Sequence, residues 1–247
     1  MATPLHVLRY EFQGKTILLK YTDGVMMPSP FSRFLAEHLP PPETGTDDPW
    51  ALDLGSGTGI QSVILAKLGW KTVYAVDIDK RCLGATEFNA LLNEVSEYKP
   101  GSQSQIVAVH SNIFEKIKGL KFDLIVSNPP TLPSTDETPT FSAGGADGRD
   151  FLESMIQHSV EALKPRGQLL FVQSSLPGLD LTVKSLAKIG FSVDIVAKRK
   201  QTFRDHYMPH LFFYRRRQML TDEELYFEDP ADGGLFEWLY IIKAKKT

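Results

Sequence analysis

The chain has 247 residues, 42% of them hydrophobic and 23% charged, enough for one globular domain with a modest appendage and too few for two full domains. Its formal net charge of −3 supplies no bulk field for avid nucleic-acid or membrane binding, and no apolar run approaches the roughly 20 residues that span a bilayer. The single cysteine, Cys82, excludes an intramolecular disulfide and a thiolate metal cluster. The start Met1-Ala2-Thr3-Pro4-Leu5-His6 lacks the basic and apolar segments of a signal peptide, so a reducing, cytoplasmic setting is expected.

Val7 to Leu19 reads as two short strands around Gln13-Gly14, and Ser32 to Leu39 as a short helix capped by Ser29 or Ser32. Pro40-Pro41-Pro42 through Pro49 breaks the pattern, which divides a 1–48 extension from a 49–247 domain. From Trp50 strands and helices alternate. Ile60 to Leu68 places Ile60, Val63, Ile64 and Leu68 on one face, an amphipathic helix ended by Gly69. Thr72 to Val76 is the next strand, Asp79 to Val95 a second helix, Ile106 to Val109 a strand, and the apolar run Phe122 to Val126 a buried parallel strand. Phe151 to Leu163 reads as a helix that stops at Pro165-Arg166-Gly167. Gln168 to Val172, Ser192 to Ala197 and Trp238 to Ile242 read as strands, with Leu181 to Ile189 a helix between the first two. Such alternation with right-handed crossovers predicts an α/β fold with a doubly wound parallel sheet.

The most informative stretch is Leu52-Asp53-Leu54-Gly55-Ser56-Gly57-Thr58-Gly59. A strand ending in alternating glycines turns sharply and aims the next helix N-terminus at a small anionic group. The dinucleotide fingerprint needs glycine where this chain has Ile60, which weighs against a nicotinamide cofactor. Asp77, at the end of the next strand, stands where an acceptor meets a ribose diol. After the following strand, Asn112 of Ser111-Asn112-Ile113-Phe114 is placed to hydrogen-bond an adenine amine, with a flanking apolar side chain to cover the ring. Together these describe a nucleoside pocket whose anion is as small as the carboxylate of an amino acid.

Here the chain resembles the S-adenosylmethionine-dependent methyltransferases of the seven-stranded Rossmann-like class. Asp53-Leu54-Gly55-Ser56-Gly57-Thr58-Gly59 looks like their first motif, and Asp77 sits where they keep a ribose-binding acid. The resemblance implies S-adenosyl-L-methionine as cofactor, held by Asp53, Gly55, Gly57, Gly59, Asp77, Ile78, Asn112, Ile113 and Asn128. The family usually has aspartate in place of Asn112.

Ser127-Asn128-Pro129-Pro130-Thr131 follows the fourth strand of the domain, at the edge where ligands gather in such sheets. The prolines stiffen the turn and remove two donors. The Asn128 side-chain oxygen and the Pro129 carbonyl can each accept a hydrogen bond from a planar NH2 group. Such a nitrogen has a delocalised lone pair and is a poor nucleophile. Held by both hydrogens, it can pyramidalise toward an electrophilic methyl, and alignment of this sort contributes about 7 to 11 kcal/mol. Asn128, Pro129 and Pro130 are therefore the expected catalytic residues, and no metal is expected.

The Asn-Pro-Pro turn resembles that of amino-group methyltransferases acting on glutamine amides or on exocyclic amines of adenine and guanine. Val25-Met26-Met27-Pro28-Ser29-Pro30, Asn89-Ala90 with Asn93, and Gly144-Gly145-Ala146-Asp147-Gly148 resemble segments of the release-factor glutamine methyltransferase group and of small-domain methyltransferases, over about residues 25 to 175. The likeness implies a protein or RNA substrate of the translation apparatus. Two departures stand out: Thr131 replaces the aromatic residue that group carries after Asn-Pro-Pro, and its N-terminal helical domain has no counterpart in the first fifty residues. Phe141 is a candidate substitute platform. The competing readings are methylation of an RNA base amine and a catalytically idle, cofactor-binding partner protein.

Weaker signals remain. Lys198-Arg199-Lys200, Arg204 and Arg215-Arg216-Arg217, interleaved with Phe203, Tyr207, Phe212, Phe213 and Tyr214, fit either an RNA contact or the charged ends of a strand pair. His206 and His210 have helical metal-ligand spacing, against which Pro209 argues. Gly14-Lys15-Thr16 is not a phosphate loop, because the required earlier glycine is Arg9. Pro133 to Asp150, with Gly144, Gly145 and Gly148, reads either as a lid or as a plain connection.

Overall fold

The computed structural model describes residues 7–20, 24–95, 104–135, 138–139, 141–203, 210–221, 223–231 and 233–246. In chain order the elements are β1 (Val7–Phe12), β2 (Lys15–Lys20), α1 (Pro30–Ala36), β3 (Trp50–Leu54), α2 (Ile60–Lys67), β4 (Thr72–Asp77), α3 (Lys80–Leu92), β5 (Gln105–His110) and β6 (Phe122–Ser127). They continue with α4 (Asp150–Ala162), β7 (Leu163–Ser174), α5 (Leu179–Lys188), β8 (Phe191–Thr202), α6 (Leu211–Thr221), β9 (Phe227–Glu228) and β10 (Leu235–Lys246). The chain forms two compact units, one of Met1–Asn128 with Glu161–Leu170 and the other of Pro129–Val160 with Phe171–Thr247.

In the first unit the strand order runs β5-β4-β3-β6, with every pair parallel. Ala51, Leu52 and Leu54 of β3, Val73, Ala75 and Val76 of β4, and Phe122 and Leu124 to Val126 of β6 are buried. Near-continuous apolar runs of this kind are what strands covered on both faces require. The N-terminal hairpin is an antiparallel pair, β1 with β2, turning at Gln13 and Gly14 as expected. In the second unit β10 pairs antiparallel with β8 and, at its start, with β9.

Three sequence expectations need correction. The helix α2 is not amphipathic: Ile60 through Ala66 are all buried, Gln61 and Ser62 included. The hairpin strand β2 and the helices α1 and α3 pack against it, so its outer face is covered by the extension. Its two polar side chains are satisfied internally, Gln61 Nε2 donating to the Ser32 carbonyl at 3.0 Å and Ser62 Oγ to Asp53 Oδ2 at 2.5 Å. Second, Pro165-Arg166-Gly167 does not separate α4 from a later strand. The strand β7 begins at Leu163 and runs through it, with Arg166 at φ +65° and Gly167 so close to the Lys164 and Phe122 carbonyls that a Cβ would lie 2.9 and 3.1 Å from them. Third, the sheet is not parallel throughout, and α6 and β9 stand where no element was expected.

The hairpin is fastened by two asparagines four residues apart, Asn89 on α3 and Asn93 at its C-cap. Asn89 accepts from Lys20 N–H at 2.7 Å and donates to the Lys20 carbonyl at 2.9 Å, and Asn93 accepts from Leu18 N–H at 2.9 Å and donates to the Leu18 carbonyl at 2.5 Å. Each amide thus pairs with β2 as a neighbouring strand would. Asn89 also donates to the Thr58 carbonyl at 2.9 Å, which joins the hairpin to the glycine loop. Replacing Asn93 by alanine leaves the Leu18 backbone groups without these partners. The expected loss is about 1 to 3 kcal/mol by urea denaturation, and an unchanged midpoint would show that the bonds contribute nothing to the fold.

Candidate functional site

Parallel register brings the predicted residues of the first unit to one edge. Leu54 at the end of β3 lies opposite Val76 of β4 and Ser127 of β6, and Asp77 lies opposite His110 of β5. Gly55, Asp77, the Ser111-Asn112 pair and Asn128 therefore leave four adjacent strands at the same level. Gly55 and Ser56 N–H donate to the Val76 carbonyl at 2.8 and 3.0 Å, Ser111 N–H to the Asp77 carbonyl at 3.0 Å, and Ser127 Oγ to the Leu54 carbonyl at 2.8 Å. These bonds pin each strand end to the next.

The loop after β3 has Gly55 at φ +77°, Gly57 at +54° and Gly59 at +77°, a conformation that L side chains rarely adopt. The three glycines differ in what surrounds them. A Cβ at Gly59 would lie 2.9 Å from Thr86 Cγ2 and 3.0 Å from Thr86 Cα, so this glycine is also required by the packing of α3. At Gly55 and Gly57 a Cβ would meet nothing within 4 Å. Beyond those two lies open space at the strand edge, as a ligand touching bare backbone needs. Gly59 N–H donates to the Ser56 carbonyl at 2.8 Å, and Gly59 is the left-handed N-cap from which α2 starts.

Two carboxyl groups flank this loop. Asp77 accepts from Gly57 N–H through Oδ2 and from Asp79 N–H through Oδ1, both at 2.9 Å, and is half-buried. Each oxygen keeps acceptor capacity beyond its one backbone bond. Asp53 is 1% exposed, and Oδ2 accepts both the Ser62 hydroxyl and the Ser62 N–H, the latter at 3.0 Å. Burial pushes the Asp53 carboxyl up to about 7; the Ser62 bonds oppose that shift and the nearby Asp77 charge adds to it. Asn112 is exposed, with Nδ2 donating to Glu115 Oε1 at 3.1 Å. Ile78 is 60% exposed, and Ile113 takes a left-handed φ of +48°. Burial pushes the Cys82 thiol up to about 12, so no thiolate nucleophile is on hand from that residue.

Asn128, half-buried, donates through Nδ2 to Ser32 Oγ at 3.0 Å. Ser32 and Ser62 are the site neighbours that the sequence reading missed. Ser32 was read only as a helix cap, and Ser62 stood among the polar positions of a helix expected to face solvent.

In the second unit Pro129, Pro130 and Thr131 lead into a loop whose described residues are tied down. Leu132 N–H donates to the Ser142 carbonyl at 2.9 Å, Gly144 N–H to the Leu132 carbonyl at 2.8 Å, and Ser134 N–H to the Gly145 carbonyl at 2.8 Å. A Cβ at Gly144 would lie 2.8 Å from the Pro130 carbonyl, so the glycine stretch packs directly on the Asn-Pro-Pro turn. Arg149, 6% exposed, donates to the Pro177 carbonyl and pairs with Glu153, while Arg217 pairs with Asp147 at 3.2 Å. Leu132 is buried with Leu176 and Tyr214, and Phe141 is 54% exposed.

The described basic aromatic residues are divided between β8, with Phe203 just after it, and α6. Lys198 Nζ sits 3.9 Å from the Trp238 ring centre and Lys200 Nζ 4.4 Å from that of Phe236, with Lys200 also paired to Asp229. Arg215 to Arg217 lie on α6, where Arg215 Nε donates to the Tyr226 hydroxyl at 3.2 Å. These partners are intramolecular, which accords with the strand-pair reading for Lys198 and Lys200 and corrects it for Arg215 to Arg217, which sit on a helix. Arg204, His206, Tyr207 and Pro209 lie outside the described residues.

The profile of the methyltransferase small domain family matches residues 29–203. A Methanocaldococcus jannaschii protein named as a protein N5-glutamine methyltransferase is 36% identical over 160 residues, which cover 62% of this chain and 76% of that one. Release factor glutamine methyltransferases of Aquifex aeolicus and Fusobacterium nucleatum are 30% and 28% identical over 64% and 68% of this chain. The matches span only 57% and 49% of those two proteins. Among solved structures, the T. thermophilus 16S rRNA N2 G1207 methyltransferase superposes with a TM-score of 0.60 at 18% identity, covering 99% of this chain and 52% of that one. That likeness shows the fold, a mostly parallel Rossmann-like methyltransferase sheet.

Two measurements follow from the geometry. Gly59→Ala is expected to lower the melting temperature by several degrees, because strain and the Thr86 collision both act on the fold. Gly57→Ala adds strain without a collision and is expected to lower it less; equal losses would remove the distinction. The second concerns Asp53. Its folded-state value lies above the ordinary carboxylate range, so the folded chain holds the proton more tightly than the unfolded one. Its contribution to stability is fully present in acid and is lost as pH rises through about 7. Asp53→Asn should flatten the stability curve between about pH 4 and 7, and an unaltered slope in urea titrations would refute the assignment.

Proposed function

Since the chain belongs to the methyltransferase small domain family, we propose that it methylates a planar NH2 group, the side-chain amide of a protein glutamine, with S-adenosylmethionine as its cofactor. The observation that carries this reading is the position of Asn128. It leaves β6 beside the glycine loop, in the strand register that sets Ser127 against Leu54, and its amide nitrogen is already engaged by Ser32. The oxygen is then the group left to receive an acceptor hydrogen. The names of the M. jannaschii and A. aeolicus relatives point to the same acceptor.

The residues present fit the cofactor. The open space beyond Gly55 and Gly57 would admit the amino-acid part of the cofactor against backbone that carries no side chain. Asp77 retains acceptor capacity for two ribose hydroxyls. Asp53 lies behind the loop and ties its first strand to α2 through Ser62. Ile78 and Ile113 cover the adenine faces, and Asn112 receives its amine. When bound, the cofactor supplies a methyl group activated on a sulfonium. Asn128 and the Pro129 carbonyl hold the two hydrogens of the acceptor nitrogen, and Pro130 keeps the turn rigid. Catalysis then rests on orientation and on dipoles set in place before the reaction, without a nucleophilic side chain.

The acceptor protein belongs to the translation apparatus and meets the enzyme in the cytoplasm. No helix among the described residues is long and apolar enough to cross a membrane.

Calorimetric titration separates the roles. Asp77→Ala should weaken cofactor binding by about tenfold or more, a loss of roughly 1.4 kcal/mol, whereas Asn128→Ala should lose methyl transfer by far more than it loses cofactor affinity. Labelling of a cell extract with a tritiated methyl donor, followed by protease or nuclease, tests the acceptor. Label released by protease alone is expected, and label released by nuclease alone would transfer the activity to RNA.

A further inference from the structure

We propose that Ser32 is a positioning residue for methyl transfer, fixing the Asn128 amide with its oxygen toward the acceptor. The proposal rests on the role of Asn128 given above. An asparagine amide has two nearly isosteric orientations, related by a half-turn about its last torsion, that exchange an acceptor for a donor. For an acceptor NH2 the difference is decisive. One orientation receives a hydrogen, and the other sets two N–H groups against each other.

Ser32 selects between them from an unusually firm position. It is 7% exposed on α1, and its hydroxyl takes the Asn128 Nδ2 hydrogen at 3.0 Å. Ser29 Oγ lies 3.3 Å from Ser32 Oγ, with either hydroxyl able to donate, so a Ser32 hydroxyl that accepts from Nδ2 has a partner within reach for its own proton. Ser29 is itself fixed as the N-cap of α1, taking the Ser32 N–H at 3.2 Å. The Ser32 carbonyl is held by Gln61 Nε2 at 3.0 Å, and Gln61 is 4% exposed on α2, the helix that starts at Gly59. One serine therefore joins the helix of the extension, the helix behind the glycine loop and the asparagine at the end of β6. Removal of its hydroxyl leaves the backbone ties in place and releases the amide.

The test uses the full chain with Ser32→Ala and Ser32→Thr. The Asn128 side-chain amide is assigned in a nitrogen–proton NMR spectrum by its loss in Asn128→Asp, and its hydrogen exchange is followed without any acceptor. The wild-type amide should be protected. Ser32→Ala should speed exchange about tenfold or more, and Ser32→Thr, which keeps a hydroxyl, should restore protection. With tritiated S-adenosylmethionine and a synthetic glutamine-containing peptide, Ser32→Ala should lower kcat by about ten- to a hundredfold at nearly constant KM and cofactor affinity. An unprotected wild-type amide, equal exchange in wild type and Ser32→Ala, or a kcat loss that tracks lost cofactor affinity would overturn the proposal. Absence of wild-type turnover on the peptide overturns the glutamine reading alone, and the exchange measurement then decides the Ser32 assignment by itself.

Discussion

The register of three parallel strands is the constraint on which the site depends. Because Leu54 lies opposite both Val76 and Ser127, the turn after β3 has an acid on one side and an asparagine on the other. A slip of one residue in either pair would turn every side chain of that strand to the other face. The apolar runs of β3, β4 and β6 resist it, since the slip would leave Asp53 and the buried residues around it in each other's places. The core thus sets the spacing of the functional groups, and the bonds of Gly57 to Asp77 and of Asn128 to Ser32 act on side chains already brought to one edge.

The extension contributes more than a cover. A helix exposed on one face normally carries its polar residues there; α2 instead has the hairpin and α1 over that face, and its Gln61 and Ser62 become internal fasteners. Asn89 and Asn93 then treat β2 as a strand to be paired, and Asn89 continues to the Thr58 carbonyl inside the glycine loop. Each of these groups is a buried amide or hydroxyl with a partner, so loss of any one leaves an unsatisfied neighbour that costs more than the bond itself contributes. The extension and the loop are coupled through polar bonds, which makes β2 and α1 part of the site's support.

Local signals made much of this legible. Gln13-Gly14, the Ser29 cap and the glycine trio act through conformations that only a few residue types accept, and each appears where the chain predicts it. Asp77 and Asn128 were placed by counting from strand ends, which succeeds when strands are short and parallel. Their common edge is a matter of geometry. The reading failed where long-range burial overrides local pattern. Nothing near Ser62 in the sequence reveals the hairpin over α2, and Pro165-Arg166-Gly167 has the composition of a break although β7 absorbs it. The helix α6 was hidden for a related reason: its polar face carries Arg217, whose partners Asp147 and the Leu176 carbonyl come from distant segments.

Asp53 shows how the two scales meet. A carboxyl on a strand whose other buried neighbours are apolar is expensive to place, and an ionised one more so. Two bonds from Ser62 make it tolerable, and both come from the first turn of α2, where a helix N-terminus favours an acceptor. The acid therefore acts as a displaced cap: Gly59, which occupies the N-cap position at φ +77°, has no side chain to offer. Moving the cap from the loop to the strand behind it keeps the loop's outer side as bare backbone. The helix keeps an acceptor for its first turn, and the space beyond Gly55 and Gly57 stays open. A serine or aspartate at position 59 would cap the helix more simply, but its Cβ would collide with Thr86, so the packing of α3 and the openness of the loop both require the cap to come from Asp53.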